Sequence, residues 1–123
     1  MQNIEFKNFD LENGVEPMPG REGQIWHKVI TDTLDHEAKT GQRTRILKIK
    51  KGFQTFGQHN HPYWEELLIF QGTLYDGEPA DGETKLTAPA YAGRAPGHMH
   101  EPARTGEVCC MIEFNYYDDP SSS

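Results

Sequence analysis

The sequence predicts an all-β fold, a single small domain built as an antiparallel sandwich or barrel, on three observations. No window of the 123 residues sustains the 3.6-residue period of an amphipathic helix. Several short runs are instead rich in β-branched and aromatic residues, with residues 107–117 the strongest. Turn signals also recur at short intervals: Gly72, Asp76-Gly77, Pro79 and Asp81-Gly82, then Pro89, Gly93, Pro96 and Gly97.

Taken in order, residues 1–23 mix apolar and acidic positions and are broken by Gly14, Pro17, Pro19 and Gly20. They read as an N-terminal arm of the same domain, with one short strand near Ile4 to Phe9. Residues 24–117 make the β-domain. Within it, residues 24–29 form a strand, and residues 32–40 form a polar loop or single helical turn closed by Gly41. Residues 43–50 interleave basic side chains with Ile46, Leu47 and Ile49, the pattern of a half-exposed strand. A bend at residues 52–57 leads into a strand over residues 59–70. Residues 73–75 and 83–87 allow only short strands, and residues 118–123 form a disordered tail.

Composition narrows the function classes. A hydrophobic content of 35% with 25% charged residues lies well away from a disordered chain. The formal net charge of -7 opposes nucleic acid as a partner, and the only basic run is the strand at residues 43–51. No long apolar segment suits a membrane span, and no basic-then-apolar start suits secretion, so cytoplasmic residence is expected. Cys109 and Cys110 are adjacent and would face opposite ways in a strand, so no bridge between them is expected. One thiol should be buried and the other partly exposed.

The chemistry concentrates in Gln58-His59-Asn60-His61-Pro62-Tyr63-Trp64-Glu65-Glu66, which runs on through Leu67 to Phe70 and stops at Gly72. On a strand, His59 and His61 share a face, while Glu65, Leu67 and Ile69 lie opposite in parity to Glu66, Leu68 and Phe70. Two imidazoles and a carboxylate on one strand face make most of a metal site. Gly97-His98-Met99-His100 can supply a further ligand from elsewhere in the chain. Strand parity favours Glu65 over Glu66 as the carboxylate ligand. Leu67, Ile69, Phe53, Phe56 and Trp64 are candidates for an apolar wall. Leu68 and Phe70 face outward and need cover from a second sheet, the arm or a partner subunit. His27 and His36 read as structural or exposed.

These residues resemble the two sequence motifs of the cupins. His59-Asn60-His61, then Glu65 after three residues and Gly72 after six more, follows the first motif; Gly52 stands one residue too far upstream. Pro96-Gly97-His98-Met99-His100 keeps the Gly-x-x-His of the second motif, with the proline directly before the glycine. The resemblance covers residues 43–115 and implies a small jelly-roll barrel. It also implies His59, His61, Glu65 and His100 as ligands of one divalent ion (Fe, Zn, Mn, Ni or Co). The two-residue gap after Gly97 selects His100, leaving His98 to line the mouth or substitute. The His-Pro-x-x-Glu-Glu segment is further similar to the cupin domain of ChrR, a zinc-dependent anti-sigma factor.

Most often such a resemblance implies a mononuclear metal-dependent oxygenase acting on a small carbonyl, enol or phenolic substrate, usually as a homodimer. The alternative it implies is a zinc-holding sensor or a metal-stabilised small-ligand-binding protein without turnover. Tyr63, Tyr75, Tyr91 and Arg94 are candidates for orienting a substrate, with nothing in the sequence selecting among them.

Overall fold

The computed structural model describes residues 3–55, 60–77, 82–100 and 102–117. Among them lie β1 (Glu16–Pro17), β2 (Ile25–Asp32), β3 (Gln42–Ile49), β4 (Trp64–Gln71), β5 (Thr73–Asp76), β6 (Thr84–Thr87), β7 (Ala90–Arg94), β8 (Ala103–Thr105) and β9 (Cys109–Tyr116), with no helix. All pairings are antiparallel. Six strands form one sheet in the order β1-β2-β3-β9-β4-β7, and three form a second in the order β6-β5-β8. An isolated bridge from Gln54 to Arg104 extends the smaller sheet. The expected all-β sandwich is the observed architecture. Among the described residues no helix is long and apolar enough to cross a membrane.

The period of two along β3, β9 and β4 decides what lies between the sheets. Leu47 stands opposite Met111, Ile49 opposite Cys109, and Ile69 opposite Met111 from the other side. With Ile25 they form the buried apolar cluster, flanked by Phe53, Leu67 and Leu74. Further along the same inner face the residues are polar. Arg45 stands opposite Glu113, Arg43 opposite Asn115, and Glu65 between Asn115 on β9 and Arg94 on β7. One end of the interior is therefore apolar and the other charged.

Several details differ from the sequence expectation. Ile4 to Phe9 is not a strand; Phe6 is fully exposed and the first strand is Glu16–Pro17, paired with His27 and Trp26. A lone extended arm has nowhere to place its backbone donors until it reaches the free edge of β2. The strand placed at residues 59–70 begins only at Trp64. β4 is central, with β9 and β7 on its two sides, and Pro62 has no N–H for a ladder. β7 lies in a stretch punctuated by turn residues and β8 in one with no strand signal, and each exists because an open edge, of β4 or β5, receives it. Both thiols are buried, against the expectation that one would be partly exposed. Cys110 does face the outer side, but Leu11, Glu12 and Val15 of the arm close over it around a small pocket that also touches Ile46. The outward Leu68 and Phe70 are 39% and 38% exposed.

Gly72 turns the chain from β4 into β5 with φ of 95°, and a Cβ there would stand 2.2 Å from the carbonyl oxygen of Val108. Gly72→Ala is expected to lower stability by at least about 2 kcal/mol, from left-handed strain plus that clash. Urea denaturation with an unchanged m value checks this, and a loss below about 0.5 kcal/mol would refute it. Cys109 has no exposed surface, and burial, with Cys110 beside it, pushes its thiol up to about 11. At pH 8 about one native molecule in a thousand would carry the thiolate. Iodoacetamide should leave Cys109 unmodified in the native protein at that pH and label it once urea unfolds the chain, read by peptide mass.

Candidate metal centre

Two chain segments meet at the charged end of the interior. The first precedes β4 and carries His61; the second is the turn at Gly97, whose φ of 78° suits a residue without a Cβ. The Gly97 amide donates to the His61 carbonyl at 2.8 Å, so one backbone bond ties the His61 segment to the turn that leads to His98 and His100. β4 then turns Glu65 inward, where it is 5% exposed, and His100 is buried at 3%.

One ligand atom from each of His61, Glu65 and His100 lies within 4.8 Å of the other two. His61 Nε2 is 3.3 Å from Glu65 Oε2, and the His61 and His100 rings meet edge to face at 5.1 Å. Tyr63 stacks nearly parallel to the His61 ring, at 5.0 Å and 4°. Tyr63 in turn meets Tyr117 edge-on and lies beside His36, whose Nδ1 is 2.6 Å from the Tyr117 hydroxyl. The His61 imidazole is thus in contact with two rings, which restricts its orientation.

The other oxygen of Glu65, Oε1, accepts a bond from Arg94 Nη1 at 3.2 Å. Burial pushes the Glu65 carboxyl above its ordinary value and Glu113 adds to that push, while Arg94 opposes both. Glu113 is itself paired with Arg45 through Oε1, with Arg43 3.7 Å from the same oxygen. Arg43 also donates twice to Asn115 Oδ1, at 2.9 and 3.2 Å. His27 Nδ1 lies 3.2 Å from Arg45 Nη1, and burial, then the Arg45 charge, lower its pKa. Three guanidiniums (Arg43, Arg45, Arg94) therefore face two carboxylates (Glu65, Glu113). A cavity of about 650 Å³ opens against this set, with His61, Tyr63, Glu65, Arg45, Glu113 and Phe53 among its walls. Burial raises the Tyr63 phenol pKa, so Tyr63 enters the cavity as a protonated hydroxyl.

Of the ligands expected from the sequence, His61, Glu65 and His100 come together; His59 lies outside the described residues, as does Phe56. His98 is exposed, its ring 6.5 Å from that of His100. Glu66 points outward and accepts a bond from the Tyr91 hydroxyl at 2.6 Å, which takes Tyr91, 64% exposed, away from the cavity. Tyr75 lies under the Arg104 guanidinium at 4.0 Å. Trp64 is not part of an apolar wall: it shares the outward parity of Glu66 and stacks on Tyr116 at 6.4 Å. Phe53 and Leu67 do line interior cavities. The sequence reading passed over Arg45, Glu113 and Asn115. Their signal was a charged or amide side chain at the inward parity of strands whose other inward positions are apolar.

No family model and no curated protein matches the sequence. Solved structures do match. An acetylacetone dioxygenase from Acinetobacter johnsonii aligns with 100% of this chain and 84% of its own, at TM-score 0.69 and 18% identity. An RmlC-like cupin from Shewanella frigidimarina aligns over 100% of both chains, at TM-score 0.64 and 16% identity. In the complex of Rhodobacter sphaeroides SigE with the anti-sigma ChrR, the match covers 86% of this chain and 51% of that chain, at TM-score 0.62 and 16% identity. The two sheets with their inward-facing histidine and glutamate side chains have the cupin fold.

The buried Arg45–Glu113 pair sets a stability expectation. Arg45→Met should cost about 3 kcal/mol, the low end for a broken buried pair because Arg43 stays 3.7 Å from Glu113, whereas Arg45→Met with Glu113→Met should cost less than that single change. Urea denaturation of the three proteins decides it; a double variant weaker than Arg45→Met alone would contradict the pairing.

Proposed function

We propose that this chain is a metal-binding cupin working as a mononuclear metal-dependent oxygenase-type enzyme on a small carbonyl, enol or phenolic substrate. The observation that carries the reading is the meeting of His61, Glu65 and His100, the first two of which line an open interior cavity. Their chemistry fits a divalent ion. Two donors on one metal at about 2.0–2.1 Å stand about 3–3.4 Å apart, and His61 Nε2 to Glu65 Oε2 is 3.3 Å. Arg94 takes Oε1 of Glu65 and leaves Oε2 for the metal. His59, by its place in the motif, is the fourth ligand of the proposal. A metal bound there supplies Lewis acidity toward substrate oxygens and, where redox-active, reactivity toward dioxygen.

The protein's own groups favour an anionic ligand. The three guanidiniums outnumber the two carboxylates at this end of the interior, so an enolate is better matched than a neutral ketone. Tyr63 offers a hydroxyl donor from the cavity wall. Acetylacetone, the substrate in the name of one matched structure, is a 1,3-diketone of this enolising kind.

A second reading keeps the metal and drops the turnover, on the Arg94–Glu65 contact, which occupies one carboxylate oxygen and leaves the other to hold an ion. In it the chain is a binding or sensor module without turnover, in keeping with its likeness to a chain of the SigE–ChrR complex. Metal analysis of protein purified without added metal, followed by oxygen uptake with 1,3-diketones and phenols, separates the two. Iron with oxygen uptake supports the enzyme; stoichiometric zinc and no uptake supports the module. In either case His61→Ala should lose most of the bound metal, and Glu66→Ala, on the outer face, should keep it. Equal metal content in both variants would remove the basis of the proposal.

A further inference from the structure

The interior does not end at the charged tier. A second cavity of about 160 Å³, open on one side, lies between the sheets; Ile25, Leu47, Ile49, Leu67, Leu74 and Met111 make its apolar walls, and Arg94, Arg104 and Glu113 its charged ones. It shares Ile25, Leu47, Phe53, Thr55 and Glu113 as walls with the cavity that reaches His61 and Glu65. Arg94 lines this second cavity and bonds Glu65, so a single side chain touches both the cavity and the proposed ligand set. An apolar cavity of about 150 Å³ is large enough to take a benzene ring.

From this continuity we infer an apolar subsite behind the metal centre. Its occupant is an unbranched alkyl chain or a phenyl ring carried by a ligand whose oxygen donors sit at the His61, Glu65 and His100 end. The ligand class is an amphipathic anionic chelator, such as an aryl- or alkyl-substituted 1,3-dicarbonyl. The polar half of the inference rests on the metal reading proposed above; the apolar half rests on the void alone. Leu47, Ile49 and Met111 belong to the buried core, so their positions are fixed by sheet pairing before any ligand arrives. Burial of each added methylene should tighten binding about fourfold until the void is full.

Two measurements test this. Cobalt(II)-loaded protein is titrated with acetohydroxamate and with benzohydroxamate, which present the same chelating head, and followed by visible absorption. Metal-free protein is melted with and without benzene. Benzohydroxamate is expected to bind at least about tenfold tighter than acetohydroxamate, and benzene is expected to raise the melting temperature of the metal-free protein. Leu74→Trp, which fills the void from the smaller sheet, should abolish both effects and leave acetohydroxamate binding intact; if that variant does not fold, Ala103→Leu serves. Equal affinity of the two hydroxamates overturns the subsite while leaving the metal reading in place. If neither hydroxamate binds, the metal reading fails, and benzene alone decides the subsite: a shift lost in Leu74→Trp supports it, and no shift overturns it.

Discussion

The ion pair between Arg45 and Glu113 is the interaction on which the interior depends. It stands between the two halves of the inner sheet face, with Leu47 and Met111 on one side and Arg43 and Asn115 on the other. Both partners are buried, and a buried pair is favourable only while each charge keeps its partner and its remaining hydrogen bonds. The surrounding contacts meet that condition. Arg43 approaches the same carboxylate oxygen, His27 takes an Arg45 nitrogen, and Asn115 holds Arg43. The effect reaches Glu65, whose carboxyl Glu113 pushes upward and Arg94 pulls back. The charged tier is therefore one coupled set, and its electrostatics cannot be altered at one residue without altering the candidate ligand.

Local turns bring the candidate ligands within reach of one another. Gly97 adopts a left-handed conformation and passes its amide to the His61 carbonyl, so the two histidine-bearing segments are joined through backbone. The rings then lock in sequence, His100 against His61, His61 on Tyr63, and Tyr63 against Tyr117 and His36. Ring contacts of this kind do for an imidazole what an outer-shell hydrogen bond does elsewhere: they fix its plane before a ligand binds.

Much of this was legible in the sequence because a period of two is a strong signal. The parity of Glu65, Leu67 and Ile69 against Glu66, Leu68 and Phe70 is the parity of β4. The same parity extended to His61 was the wrong reason for a useful conclusion. His61 lies before the strand, past Pro62, and nears Glu65 because Gly97 holds its carbonyl. β7 and β8 were not legible, since Gly93 and the three residues of Ala103–Thr105 carry little strand preference and are ordered by the edges they meet. The burial of Cys110 was hidden for a similar reason: the covering residues, Leu11 to Val15, are distant in sequence and follow no period. Inward charge at Arg45 and Glu113 was visible but reads, in a single sequence, as the solvent side of a half-exposed strand.

A chain of this length buries a modest share of its surface, so a charged tier and a void in one small interior are both costly. Filling the Leu47–Met111 void with larger side chains and replacing the ion pairs with apolar residues would raise stability on physical grounds alone. Neither has happened here, although the strands are regular enough to accept it. The compromise becomes intelligible if the interior is completed by something other than the chain itself. A ligand that binds only the folded state adds its binding free energy to folding, by RT ln(1 + [L]/Kd). A metal held by His61, Glu65 and His100 would add positive charge of its own, so an anionic organic ligand beyond it would offset part of the charge of this tier while filling the cavity. On that argument the features that weaken the folded chain by itself are the ones a ligand would use.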